Sequence, residues 1–256
     1  MSFADFDFGI LPFALIAGLL VTLTHVPLGM QVLARGIVFI DLAIAQIAGV
    51  GVMLADSIGL EPQGFAVQIA ALSAALIGAL FLTWTDKKFP DVQEAIIGVA
   101  FILAASGGML LIAGNPHGGE HLKDMLVGQI LWVNKTSLIV TAIAYAGLLA
   151  VWFGFKDRIG RVGFYCLFAC AVTASVQLVG LYLVFTTLIV PALATRKLEK
   201  HRLPWAYALG VAGYLIGLLV SVKADLPSGA VIVWTMVVLG IVLHAWISAH
   251  MMKAVK

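Results

Sequence analysis

"VGFYCLFACAVTASVQLVGLYLVFTTLIVPALAT", residues 162–195, carries no charged side chain over 34 positions. A membrane-spanning helix uses about 20 residues to cross a hydrocarbon core of roughly 30 Å. The stretch is therefore too long for one span and too short for two full spans with a loop. How it divides sets the topology of the whole chain.

Read as one span, it gives eight crossings with both termini on one side. Lys and Arg then split 8 against 7, and the positive-inside rule selects no orientation. Read as a full helix over about 163–183 and a short returning half-helix over about 185–195, it flips the parity of everything upstream. Arg35, Lys87, Lys88, Lys156, Arg158, Arg161, Arg196, Lys197, Lys200, Arg202, Lys253 and Lys256 then share the inner side. Only Lys123, Lys135 and Lys223 face outward. That asymmetry predicts the N-terminus outside and the C-terminus inside. Pro191 in the short element suits a broken helix, which is tolerated where protein or a cavity surrounds it. Such an element either marks a transport site or is a structural re-entrant segment.

The rest of the chain agrees with a membrane protein. It is 62% hydrophobic and 11% charged over 256 residues, whereas a soluble domain carries roughly 25% charged residues. Further spans are expected over 9–30, 37–55, 64–85, 95–114, 136–155, 203–222 and 226–252. The fold class is all-α polytopic: about eight transmembrane helices plus one short re-entrant half-helix, in a single transmembrane domain over 1–256. Asp5 and Asp7 precede the first apolar run, so residues 9–30 are expected as a mature helix rather than a secretory signal. Residues 125–134 are too short to span and are expected at the outer interface, where Trp132 is at home. A net charge of +2 gives no reason to expect nucleic acid.

Several chemistries have no motif here. There is no G-x-x-x-x-G-K-[ST] phosphate loop, no H-E-x-x-H and no G-x-S-x-G. Asp41, His25 and His244 are the candidate bases inside spans, with no obvious partner in sequence, so an enzyme is not expected.

The polar residues suggest a path. Intramembrane ionisable residues face bundle interiors or cavities. In "RGIVFIDLAIAQIAGVG", residues 35–51, Asp41 should lie about 9 Å into a helix starting near Arg35, with Gln46 about 7.5 Å deeper. The two project about 140° apart. Asp41 is read as lining a pathway or a hydrated cytoplasmic end. Gln46 is read as a second pathway residue or an interhelical hydrogen bond. In the loop "GNPHGGEHLKD", residues 114–124, His117, Glu120, His121 and Asp124 combine imidazole with carboxylate, which suits divalent metals such as zinc. The same four residues are also ordinary in an exposed loop. Cys166 and Cys170, one turn apart, read as small apolar fillers. His244 and His250 read as interface or interhelical contacts, and Gln177 as a packing hydrogen bond.

Three stretches carry a resemblance: "EAIIGVAFILAASGGMLL" (94–111) followed by "HLKDMLVGQILWV", "SVQLVGLYLVFTTLIVPALATR" (175–196), and "DLPSGAVIV" (225–233). In this order they resemble the metal-type ABC transporter permeases, which import zinc, manganese or iron. The resemblance implies a bundle like that of the vitamin B12-type permeases, a homodimer in the bacterial inner membrane, and no intrinsic cofactor. It further implies separate cytoplasmic ABC ATPase subunits and a periplasmic or lipoprotein metal-binding protein. The substrate implied is a divalent transition metal, zinc first. Lys156, Asp157, Arg158, Arg161 and Arg196 would then meet the ATPase. Asp41 matches the Asp of the family's G-D-A-x-S-H motif, but Ala45 stands where its His is expected. The loop "KDRIGRVGF" is also shorter than the family's coupling segment. An ion-gradient-driven transporter or channel, an ABC permease for a chelated metal or other small solute, and a membrane scaffold are the competing readings.

Overall fold

The computed structural model describes residues 11–60, 64–112, 126, 128, 130–155 and 158–254. Among these residues the regular structure is helical throughout: α1 Leu11–Arg35, α2 Ile40–Ser57, α3 Phe65–Lys88, α4 Gln93–Ile112, α5 Lys135–Phe155, α6 Arg161–Val179, α7 Leu181–Ala194, α8 Arg202–Ala224 and α9 Ser228–Ala254. Eight of the described helices are long and apolar enough to cross a membrane, and α7 is the short one. At 1.5 Å per residue its 14 residues reach about 21 Å, well short of a bilayer core.

The uncharged stretch 162–195 thus divides as the charge argument requires, but not where the sequence placed the break. The chain breaks at Gly180, with φ 84° and ψ 162°, rather than near residue 184. A side chain there would meet the steric penalty of positive φ, which glycine escapes. Pro191 sits inside α7 and the helix runs on through it to Ala194.

Other boundaries move for local reasons. The loop left between the expected spans 64–85 and 95–114 nearly vanishes: α3 continues to Lys88, a 3-10 turn covers Pro90–Val92, and α4 starts at Gln93. α1 runs through Pro27 to Arg35. The chain then turns through Gly36–Phe39, so α2 begins only at Ile40. Ile130–Trp132 is a single 3-10 turn, and Trp132 is exposed.

The chain falls into two compact units. The first comprises residues 1–35, 127–143 and 178–256, and holds α1, α7, α8, α9 and the start of α5. Here α1 packs on α7 and α8, and α9 packs on both of them. Glycines bring the backbones close: a Cβ on Gly29 would stand 1.8 Å from the Leu188 carbonyl oxygen, and one on Gly217 would stand 2.7 Å from Ile232 Cα. Small residues replace the hydrophobic drive that lipid cannot supply. The Thr187 and Tyr214 hydroxyls pair at 2.9 Å, and Thr187 donates to the Leu183 carbonyl at 2.7 Å.

The second unit comprises residues 36–126 and 144–177, and holds α2, α3, α4, most of α6 and the rest of α5. α2 is central, packed on α3 and α4. Its Gly51 faces the Ala70 carbonyl, and Gly78 of α3 faces Ile47. Trp152, Phe164 and Phe168 form an aromatic run, with ring centroids 6.0 and 5.8 Å apart. Along α4, Val99, Ile102, Leu103 and Leu110 are exposed. A helix that shows apolar residues to its surroundings along its length suits lipid.

Candidate functional site

Asp41 is the second residue of α2, in its first turn, and not 9 Å into a helix as the sequence suggested. The reason is the turn at Gly36–Phe39, which consumes the residues that were read as helix. The Asp41 side chain is completely buried, and neither carboxylate oxygen has a hydrogen-bond partner of ordinary geometry. A buried charge is costly unless it is paired. Its position at a helix N-terminus offsets part of that cost, because the amide dipoles there favour negative charge.

Glu94 occupies the corresponding place on α4, in the first turn. Its Oε1 accepts a hydrogen bond from the Phe39 amide at 3.2 Å, just ahead of α2. Its Oε2 is buried and has no partner. Asp41 follows Phe39 by two residues, so the turn that Glu94 holds is the one that leads into the first turn of α2. The second unit therefore presents two carboxylates at two helix N-termini, joined through the Phe39 turn.

Sequence reasoning missed Glu94. It stood four residues after Pro90, among Lys87, Lys88 and Asp91, and read as part of a polar loop. The signal was its position as the last acidic residue before an uncharged run, which is where a helix N-terminus is expected to carry acid.

Gln46 lies on the same helix, 5% exposed, five residues beyond Asp41. Ala45, where the family motif has histidine, is 2% exposed, so no imidazole follows Asp41 at one turn. The loop residues His117, Glu120, His121 and Asp124 lie outside the described residues, as do Lys156 and Asp157. Among the described residues no group of three or more His, Cys, Asp and Glu side chains is placed to hold a metal.

Of the basic residues, Arg158 and Arg196 are exposed. Arg161 is engaged: its Nε lies 3.0 Å from Asp86 Oδ2, and its Nη1 donates to the Asp86 carbonyl at 3.1 Å. This clamp ties the start of α6 to the end of α3. The histidines are also engaged. His25 Nδ1 lies 2.9 Å from Thr24 Oγ1 and 3.1 Å from the Val21 carbonyl oxygen, both within its own helix. His244 Nδ1 donates to the Ala194 carbonyl at 3.1 Å, an interhelical contact, and His250 Nδ1 to the Trp246 carbonyl at 2.9 Å. Cys166 and Cys170 are free thiols, half-buried on α6.

Comparison with known proteins gives a consistent picture. The sequence profile described as "ABC 3 transport family" matches residues 7–159 and 148–247. The chain is 29% identical over 243 residues to the manganese transport system membrane protein MntC of Halalkalibacterium halodurans, covering 86% of this chain and 81% of that protein. It is 23% identical over 242 residues to the high-affinity zinc uptake system membrane protein ZnuB of Haemophilus influenzae, covering 86% and 91%. A probable iron transport system membrane protein of Haemophilus influenzae is also 23% identical over 242 residues, covering 86% and 87%. Among solved structures, one described as PsaBC from Streptococcus pneumoniae in complex with Fab shares the fold. Its TM-score is 0.74 at 23% identity, over 93% of this chain and 91% of that one.

Proposed function

The chain belongs to the ABC 3 transport family, a multi-pass membrane transport subunit rather than an enzyme, and on that premise we propose that it is the permease of an ATP-driven importer for a divalent transition metal. The observation that carries the reading is the reach of the family match, from residue 7 to residue 247. Relatives named for manganese, zinc and iron agree on the class of substrate and differ on the metal.

In this reading two copies of the chain form the path in a bacterial inner membrane, with the N-terminus outside and the C-terminus inside. Cytoplasmic ATPase subunits bind the loops bearing Arg158, Arg161 and Arg196, together with Lys156 and Asp157. A metal-binding protein delivers the ion from outside, where His117, Glu120, His121 and Asp124 receive it. Asp41 contacts the ion in the membrane path: a buried, unpartnered carboxylate is the kind of intramembrane group that marks an ion route.

The test is a deletion strain grown under chelation and rescued with zinc, manganese or iron(II) separately, with cell metal measured. Restoration by one metal through the wild-type gene, and failure of the Asp41→Ala variant to restore it at equal membrane abundance, is the expected outcome. No metal deficit in the deletion strain, or a purified permease that never associates with an ATPase subunit, overturns the reading.

A further inference from the structure

The exposed side of α3 ends in aromatic rings and two lysines. Ile77, Leu80, Phe81 and Trp84 are all exposed and follow one another at helical spacing, and Lys88 comes one turn after Trp84. From Ile77 to Lys88 the stripe rises about 17 Å at 1.5 Å per residue. That is about half of a hydrocarbon core of roughly 30 Å, the depth of one leaflet. α3 thus offers an apolar track one leaflet long with charge at its end.

That end is organised. Lys88 Nζ lies 5.2 Å from the centroid of the Trp84 ring and 5.4 Å from that of Phe89. Trp84 and Phe89 meet edge to face at 6.2 Å, and Phe81 stands 6.2 Å from Trp84. A cation within about 6 Å of a ring centroid is attracted to the π face, so the ammonium is held at the level of the indole. Indole rings settle at the headgroup level of a bilayer. The rings leave the three N–H donors of the ammonium available, and phosphate oxygens accept strongly from such donors.

The charge balance favours an anion. Asp86 is taken up by Arg161, and Lys87 and Lys88 are exposed without an ion pair among the described residues. Asp91, exposed beyond Phe89, offsets only one of the two lysines.

We infer that this face of α3 binds an anionic phospholipid. Its phosphate lies on Lys87 and Lys88, its glycerol region against Trp84 and Phe89, and an acyl chain along Phe81, Leu80 and Ile77. The inference goes beyond the permease reading, and in the orientation proposed above the lipid belongs to the cytoplasmic leaflet. A soluble protein could reach the two lysines but not the track beneath them, which lies at membrane depth.

The full-length chain, with any subunit that co-purifies, is titrated in detergent micelles with dioleoylphosphatidylglycerol or dioleoylphosphatidylcholine. Retained lipid is read by native mass spectrometry. The wild type should retain phosphatidylglycerol preferentially. Lys87→Gln and Lys88→Gln should each weaken retention about fivefold, and the double variant roughly 30-fold. Trp84→Leu should weaken it about two- to fivefold, with Trp84→Phe close to wild type. Lys197→Gln combined with Lys200→Gln removes the same charge elsewhere and should leave retention nearly unchanged.

Equal retention of the two lipids overturns the inference. So does an equal loss in the Lys197/Lys200 control, which would reduce the effect to diffuse attraction. Displacement by a large excess of inorganic phosphate would overturn the lipid as occupant, and Trp84→Leu binding as well as wild type would remove the aromatic part of the site. A Lys87/Lys88 double variant that keeps its lipid and loses a co-purifying subunit would make the patch a protein contact instead. None of these outcomes depends on the cargo, so the permease reading stands or falls separately.

Discussion

Gly29 sets how closely α1 and α7 approach, because a methyl group there would enter the Leu188 carbonyl. Gly107 on α4 has nothing within 4 Å of the same position. The two predict opposite signs for one substitution. Gly29→Ala forces backbone apart and should cost about 1–3 kcal/mol, the usual price of overpacking. Gly107→Ala only restricts the unfolded chain and should be neutral or stabilising by up to about 1 kcal/mol. Thermal unfolding of each detergent-solubilised variant reads both, and a Gly29→Ala protein as stable as wild type would show that α1 and α7 are not held as described. Sequence could not rank these glycines, since both stand in apolar helices. The burial of Asp41, by contrast, was legible, because an intramembrane carboxylate in an apolar run is expected to face the interior of the bundle. Glu94 was not, because an acid beside Lys87, Lys88 and Asp91 looks like a loop until the helix start is known.

Among the elements, the start of α6 carries the sharpest question. Arg161 was read as a coupling residue, and its side chain grips Asp86 at the end of α3. The pair is 44% and 19% exposed, so solvent screens it and its contribution to stability is about 0–1 kcal/mol. Arg161→Ala and Asp86→Asn should therefore both leave the melting temperature nearly unchanged. They should part company in function. If Arg161 also contacts the ATPase, Arg161→Ala lowers transport-coupled ATP hydrolysis and Asp86→Asn does not; equal loss in both assigns Arg161 to the clamp alone. The break between α6 and α7 shows what pattern can deliver at this scale. Charge parity demanded a break somewhere in 162–195, and one exists. Its residue was misplaced by about four, because Pro191 drew the eye and Gly180, the residue that tolerates φ 84°, is one of many glycines in the chain.

At the scale of the whole molecule, the direction of each helix can be followed within each unit. In the second unit the ends of contact are the C-terminus of α3 with the N-terminus of α6, through Asp86 and Arg161, and the N-termini of α2 and α4, through Phe39 and Glu94. In the first unit Arg202 Nη2 donates to the Ala192 carbonyl at 3.0 Å, and Lys197 Nζ to Ser248 Oγ at 3.1 Å. The C-terminal end of α7 thus meets the N-terminus of α8 and the C-terminal part of α9. This is the alternation that a broken 162–195 stretch requires, since α8 must begin on the side where α7 ends. In the proposed orientation that side is the cytoplasm, where Lys and Arg tend to be retained. The prediction is direct. Cys166 and Cys170 are first replaced by alanine, a mild change for half-buried thiols. Single cysteines are then placed at the exposed positions Lys200, before α8, and Lys223, near its end. A membrane-impermeant maleimide should label Lys223→Cys in intact cells and Lys200→Cys only after permeabilisation. The reverse pattern would invert the orientation while keeping the fold. Labelling of both from one side would mean that α8 does not cross, and the topology would have to be rebuilt from the break at Gly180 onward.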